Sequence, residues 1–137
     1  MRFDTKIAIV VREGLAAWQE LNVTAFLSSA VAAGVPETIG KPYEDGSGNT
    51  YLPMFRQPVL VYAAPDAAQL AEVRERAVTR EMPVALYTAE LFGTGNDDDN
   101  RAAVRDVPAA GLDLVGLAVY GPRNRVDKVL KGLRLHG

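Results

Sequence analysis

A chain of 137 residues with 48 % hydrophobic and 23 % charged side chains can close one hydrophobic core, which excludes a disordered or fibrous protein. With a net charge of −2 and a pI near 5.4, it lacks the basic balance from which a generic nucleic-acid binder draws its affinity. The absence of cysteine removes disulfides, thiol nucleophiles and thiolate metal sites, and it suits a reducing compartment.

The first apolar run, "KIAIVV" from Lys6 to Val11, predicts a buried strand. Arg12 and Glu13 interrupt it, so it is too short for a signal-peptide core or a membrane span. A cytoplasmic protein is expected, with the sequon at Asn22–Thr24 unglycosylated. Trp18 stands just ahead of the first helix, where it either staples the helix start or lines a cleft; core or staple is the reading adopted. From Trp18 to Ala33, helical spacing places Val23, Leu27, Ala30 and Val31 on one buried face. Asn22, Phe26 and Ser29 share an edge beside that face.

The segment "GKPYEDGSGNTYLPM", about residues 40–54, has Tyr43 and Tyr51 flanking a Gly/Ser/Asn turn and predicts a hairpin lying over the main sheet. Its "DGSGNT" fails as a calcium loop, because Thr50 occupies the glycine position and Arg56 that of the bidentate glutamate. "PVLVYAA" (Pro58–Ala64) and "PVALYTA" (Pro83–Ala89) predict strands. Between them a helix begins at Pro65 and Asp66 and buries Leu70, Val73 and Ala77. "GTG" at Gly93–Gly95 lacks the Lys-Ser/Thr of a phosphate loop. The acidic "NDDDN" that follows reads as the cap of a short helix rather than a metal site.

A fourth strand is expected over "LDLVGLAVYG" (Leu112–Gly121). The last helix follows Pro122, buries Val126, Val129, Leu130 and Leu133, and pairs Asp127 with Lys131. The basic residues from Arg123 to Arg134 read as its solvated face. His136 stands on a frayed end, where no Ser–His–Asp arrangement can be built. The first three strands are apolar at consecutive positions, as central strands covered on both faces would be. The order of elements predicts a three-layer α/β/α sandwich with a mixed sheet, a single domain over residues 1–137.

The blocks "KIAIVVREGLAAWQELNVTAFLSSAVAAG", "PYEDGSGNTYLPMFRQPVLVYAA", "ALYTAELFGTG" and "GLAVYGPRNRVDKVLKGLRL" resemble, in that order, the bacterial family catalogued as domain of unknown function number two thousand. That family is similar in fold to the type 2 peptidyl-tRNA hydrolases. The resemblance implies a sandwich on a four-stranded mixed sheet, paired as a homodimer. In the hydrolases the first strand ends in a Val-Val-Arg pattern, matched by Val10, Val11 and Arg12. Their first helix carries a lysine, a glutamine and a histidine, where Asn22, Phe26 and Ser29 stand. Their aspartate and threonine after the third strand fall in the neighbourhood of Thr88, Ala89, Glu90 and Thr94.

These departures remove most of the chemistry. Asn22 exchanges hydrogen bonds but carries no charge, and Phe26 does neither. Resemblance in fold does not transfer an activity. A non-hydrolytic protein is expected, without cofactor or metal, binding a small polar metabolite or a peptide end. Its cleft is expected between the first helix, the hairpin and Gly93–Gly95. The expected lining is Asn22, Phe26, Ser29, Tyr51, Arg56, Thr88, Glu90 and Thr94, with Arg56 ion-paired to Glu90. The alternatives are a peptidyl-tRNA or related acyl-ester hydrolase with Glu90 as base or water-orienting group, and a homodimeric interaction module.

Overall fold

The computed structural model describes residues 2–137. Its strands are β1 (Thr5–Arg12), β2 (Tyr43–Glu44), β3 (Thr50–Tyr51), β4 (Val59–Ala64), β5 (Val84–Thr88), β6 (Leu114–Pro122) and β7 (Arg134–Leu135). The α-helices are α1 (Ala17–Gly34), α2 (Ala67–Thr79), α3 (Asp97–Arg105) and α4 (Arg123–Val129). Strands β2 and β3 form a separate two-stranded hairpin. The other five make one mixed sheet in the order β5-β6-β1-β4-β7, in which β1 runs parallel to β4 and antiparallel to β6. Among the described residues no helix is long and apolar enough to cross a membrane.

Strand β1 explains why both parities of its sequence are apolar. Ile7, Ile9 and Val11 pack with Val23, Leu27 and Val31 of α1, whereas Ala8 and Val10 pack with Leu70, Val73 and Ala77 of α2 and with Val126 and Val129 of α4. Successive side chains of a strand point to opposite faces, so β1 feeds two cores and every position from Ile7 to Val11 is apolar. Helix α1 approaches β6 most closely at Gly116. A Cβ there would stand 2.5 Å from Val23 Cγ1 and 3.0 Å from Leu27 Cδ1. The glycine is what lets the helix lie on the sheet.

Several expectations are corrected. The sheet has five strands rather than four, because Arg134–Leu135 pairs with Tyr62 and Ala63 of β4. A two-residue strand has no periodicity to read. The same pairing means that His136 is not frayed: its backbone N–H donates to the Val61 carbonyl at 2.8 Å. Strand β5 lies at the sheet edge rather than at the centre, and β4 is largely half-buried; β6 shares the buried centre with β1. Consecutive apolar residues report what lies above and below a strand, not its position in the sheet. Ala30 is exposed, and the buried stripe of α1 is Val23, Leu27 and Val31.

Asp127 does not pair with Lys131, because α4 stops at Val129. It accepts instead from Lys6, whose ammonium lies 2.7 Å from Asp127 Oδ1 and 2.6 Å from Tyr62 Oη. Lys6 is only 8 % exposed. Burial alone pulls its amine pKa down, but the bonds to Asp127 and Tyr62 outweigh that and leave it raised. A sequence-local ion pair is thereby replaced by one that ties α4 to the sheet.

Candidate functional site

Gly14, with φ +86°, turns the chain out of β1, and α1 then opens with the Ala16 N–H donating to Gln19 Oε1 at 2.9 Å. Trp18 falls inside the first turn of α1 and is 55 % exposed, not in the core. Its ring meets Phe92 edge-on with centroids 5.6 Å apart. Phe92 lies on the 3-10 turn Ala89–Gly93 after β5 and packs on Tyr87 at 5.1 Å, and Tyr87 packs on Phe26 at 5.8 Å. Four rings from α1, the end of β5 and that turn therefore form one aromatic wall. Tilted and edge-on arrangements of this kind are favoured over flat stacking by the ring quadrupole. Burial pushes the Tyr87 phenol above its ordinary range, so at neutral pH it is a neutral group.

Opposite the wall stands α3. Asn96 caps it, its Oδ1 accepting from the Asp99 N–H at 2.8 Å, and Asp97 to Asp99 fill the positive first turn. Asp97 and Asp98 are both bridged by Arg101. Capping and pairing thus occupy the acidic cluster. The Thr94 hydroxyl donates to the Leu91 carbonyl at 3.0 Å and also contacts the Asn100 side-chain oxygen, which fixes the loop ahead of the helix. Ser29 donates to the Phe26 carbonyl at 2.6 Å and keeps its oxygen free to accept.

Between α1 and α3 lie two concavities of about 460 and 300 Å³. They share Phe26, Tyr87, Leu91, Asp97 and Asn100, so they are two halves of one groove. The smaller half adds Trp18, Asn22 and Thr94; the larger adds Ser29, Ala30 and Arg105. The groove is mostly apolar with a few convergent polar groups, the composition typical of small-molecule sites.

Of the residues expected to line a cleft, Asn22, Phe26, Ser29 and Thr94 come together here. Thr88 is buried and lines neither half, and its hydroxyl has no hydrogen-bond partner among the described residues. Glu90 is exposed on the 3-10 turn and is absent from the lining. Tyr51 and Arg56 are elsewhere. The Tyr51 hydroxyl donates to Asp45 at 2.6 Å, and the Arg56 Nε–H donates to the Glu37 carbonyl at 2.8 Å, with the guanidinium over the Phe3 ring. The Arg56–Glu90 ion pair is not formed. The hairpin contributes nothing to the groove, and its expected place is taken by α3.

Sequence reasoning missed Tyr87, Phe92 and the α3 face, and for Trp18 it took core or staple over the cleft that the residue lines. A signal for the last was present: Asp97, Asn100, Arg101, Val104 and Arg105 recur at i, i+3, i+4, i+7 and i+8, the spacing of one helix face. The aromatic wall joins three separate elements, so no local pattern announces it.

Fold and groove together define a mixed-sheet α/β protein with an aromatic-walled groove beside its first helix. The family described as "Protein of unknown function (DUF2000)" matches residues 5–137, and the chain belongs to it. Thirteen chains of solved structure match. One is a protein of unknown function from Agrobacterium tumefaciens str. C58, 43 % identical, with a TM-score of 0.94 over 99 % of this chain and 100 % of that one. No curated protein matches.

Proposed function

We propose that this protein is a non-hydrolytic member of an α/β/α sandwich fold related to the type 2 peptidyl-tRNA hydrolases, and that it binds a small polar metabolite or a peptide end in the groove between α1 and α3. The observation that carries this reading is one groove lined by the aromatic wall of Trp18, Phe92, Tyr87 and Phe26 together with the amides of Asn22 and Asn100 and the hydroxyl of Thr94. Rings supply buried area, and the neutral polar groups supply orientation.

The groove offers little to hydrolysis. A general base must stand within hydrogen-bond reach of the water it activates. The carboxylate in the lining, Asp97, is held by Arg101, and Glu90 lies outside the lining. His136 sits 3.4 Å from Glu20, away from the groove. A thermal-shift screen with metabolites and dipeptides tests the binding reading: at least one compound should raise the melting temperature and perturb Phe26 and Tyr87 resonances. No shift from any compound, with the groove filled by side chains in a crystal, would sink it. Release of tRNA from a model peptidyl-tRNA, lost in Glu90→Gln, would establish the hydrolase instead.

A homodimer is the second reading, favoured by the outer surface of α1. Leu21 is 71 % exposed and Trp18 and Phe26 are about half exposed, and Glu20 is the helix's one charged residue. Exposed apolar surface of this kind commonly marks an interface. A monomer by light scattering at micromolar concentration would remove it.

A further inference from the structure

The geometry points to a monocarboxylate with an apolar body as the ligand class, with its carboxylate on Arg105; this rests on the groove being a binding site at all. Helix α3 carries opposite charges at its two ends along one face. Asp97 to Asp99 occupy its first turn and Arg105 its last, some 12 Å away at the rise of an α-helix. Arg101, one turn before Arg105, is committed to Asp97 and Asp98. Arg105 also lines the groove, yet makes no ion pair or side-chain hydrogen bond among the described residues. It is the groove's cation without an anionic partner.

Three consequences fix the class of ligand. The guanidinium is a planar fork that matches a carboxylate with two parallel bonds. In the lining Asp97 borders both halves, whereas Arg101 and Arg105 border only the larger one, so the charge of a bound anion is directed to the Arg105 half. Between the two ends the surface is Phe26, Tyr87, Leu91 and Val104, which takes a ring or a branched chain. The far half presents Asn22 and Thr94 and accepts a neutral polar group or none. A phosphate dianion suits the groove less well: Arg105 stands alone, and the α3 N-terminus is at the opposite end, with its Asp99 N–H taken by Asn96 and its first turn filled by carboxylates.

The test compares 3-phenylpropionate with 3-phenylpropionamide, which has the same shape without the charge, and with phenyl phosphate. Binding is read by NMR titration of the full chain, on wild type, Arg105→Gln and Arg125→Gln. Arg125 is an exposed arginine of α4 outside the groove and controls for overall charge. The acid should bind about tenfold tighter than the amide in wild type and in Arg125→Gln, the factor expected of a charge-assisted hydrogen bond. In Arg105→Gln the acid should fall to the level of the amide, whose own affinity should not change. If acid and amide bind wild type equally and both shift Phe26 and Tyr87, the carboxylate assignment is wrong and the groove reading stands. Phenyl phosphate binding more tightly than the acid, in an Arg105-dependent way, also overturns it in favour of a phosphate ligand. If none of the three perturbs the groove at millimolar concentration, both the assignment and the groove reading fall.

Discussion

Replacing Gly116 with alanine tests how α1, and with it one wall of the groove, is held on the sheet. The new Cβ would meet Val23 Cγ1 at 2.5 Å, Leu27 Cδ1 at 3.0 Å and the Val10 carbonyl oxygen at 3.2 Å. Ordinary carbon–carbon contact is about 3.5–4.0 Å, so the closest pair must separate by roughly 1 Å. Val23 is fully buried and, as a β-branched residue in a helix, has essentially one rotamer, so the side chain cannot swing away. The helix must lift instead. Overpacking of this kind costs about 1–3 kcal/mol, against a gain of about 0.5–1 kcal/mol from removing glycine's freedom in the unfolded chain. The difference spans about 0–2.5 kcal/mol, and the fixed Val23 rotamer puts the expected net loss in its upper part, about 1–2 kcal/mol. With an unfolding entropy of about 2.1 cal/mol/K per residue over 137 residues, the melting temperature should fall by roughly 4–7 °C. Differential scanning calorimetry and urea unfolding read the two quantities directly. The double mutant with Val23→Ala should recover at least about 1 kcal/mol relative to additivity, because the alanine methyl then fills the space the valine vacated. A Gly116→Ala protein within about 0.5 kcal/mol of wild type, or a cost unchanged in the Val23→Ala background, would show that this contact is not what demands the glycine.

Three further outcomes are expected. Asp127→Ala should destabilise by about 1–3 kcal/mol, less than a fully buried pair because the carboxylate is 52 % exposed, whereas Lys6→Met should be close to neutral in urea unfolding; equal losses would contradict this account of the cluster. Because the Lys6 amine is raised above its ordinary 10.5, its contribution is complete below that pH and fades as pH rises through the folded-state value, so wild type should lose stability in strong alkali by a step that Lys6→Met lacks. The Asp45 carboxyl, held well below its ordinary 3.8 by the Tyr51 hydroxyl first and then by Asn49 and Ser47, should titrate at unusually acid pH by carbon-13 NMR; Tyr51→Phe should move it back toward 3.8, and an ordinary wild-type titration would refute the hydrogen-bonded turn. Phe26→Ala, at a half-exposed ring, should cost about 1 kcal/mol or less in thermal unfolding yet abolish the ligand-induced shift; a retained shift would remove Phe26 from the site.

What could be read from the residues follows the range of the interactions involved. Helix α2 was legible because its start, Pro65 and Asp66, and its stripe of Leu70, Val73 and Ala77 are local, and the Asp66 side chain accepts from the Gln69 N–H at 2.9 Å as a cap should. The ridge of Asn22, Phe26 and Ser29 was legible for the same reason, being one helix edge. Its opposite wall was not. The hairpin does not fill that place: Tyr51 bonds within its own turn, and α3 faces α1 instead. Lys6 falls inside the predicted first strand with no local partner, and only the folded chain brings it to Asp127, 121 residues away.

The two-residue strand β7 has a consequence for solubility. Strand β4 carries the apolar run "VLVYAA", and on the side away from β1 its backbone would otherwise stand open as a template for another chain. Leu135 and Arg134 cover Tyr62 and Ala63, and the His136 N–H closes the Val61 carbonyl. The outermost strand is then too short to recruit a further one and carries the charge of Arg134 at the rim. Arg134–Leu135 therefore keeps the sheet from growing on its β4 side, and replacing those two residues would open that edge before it touched the groove.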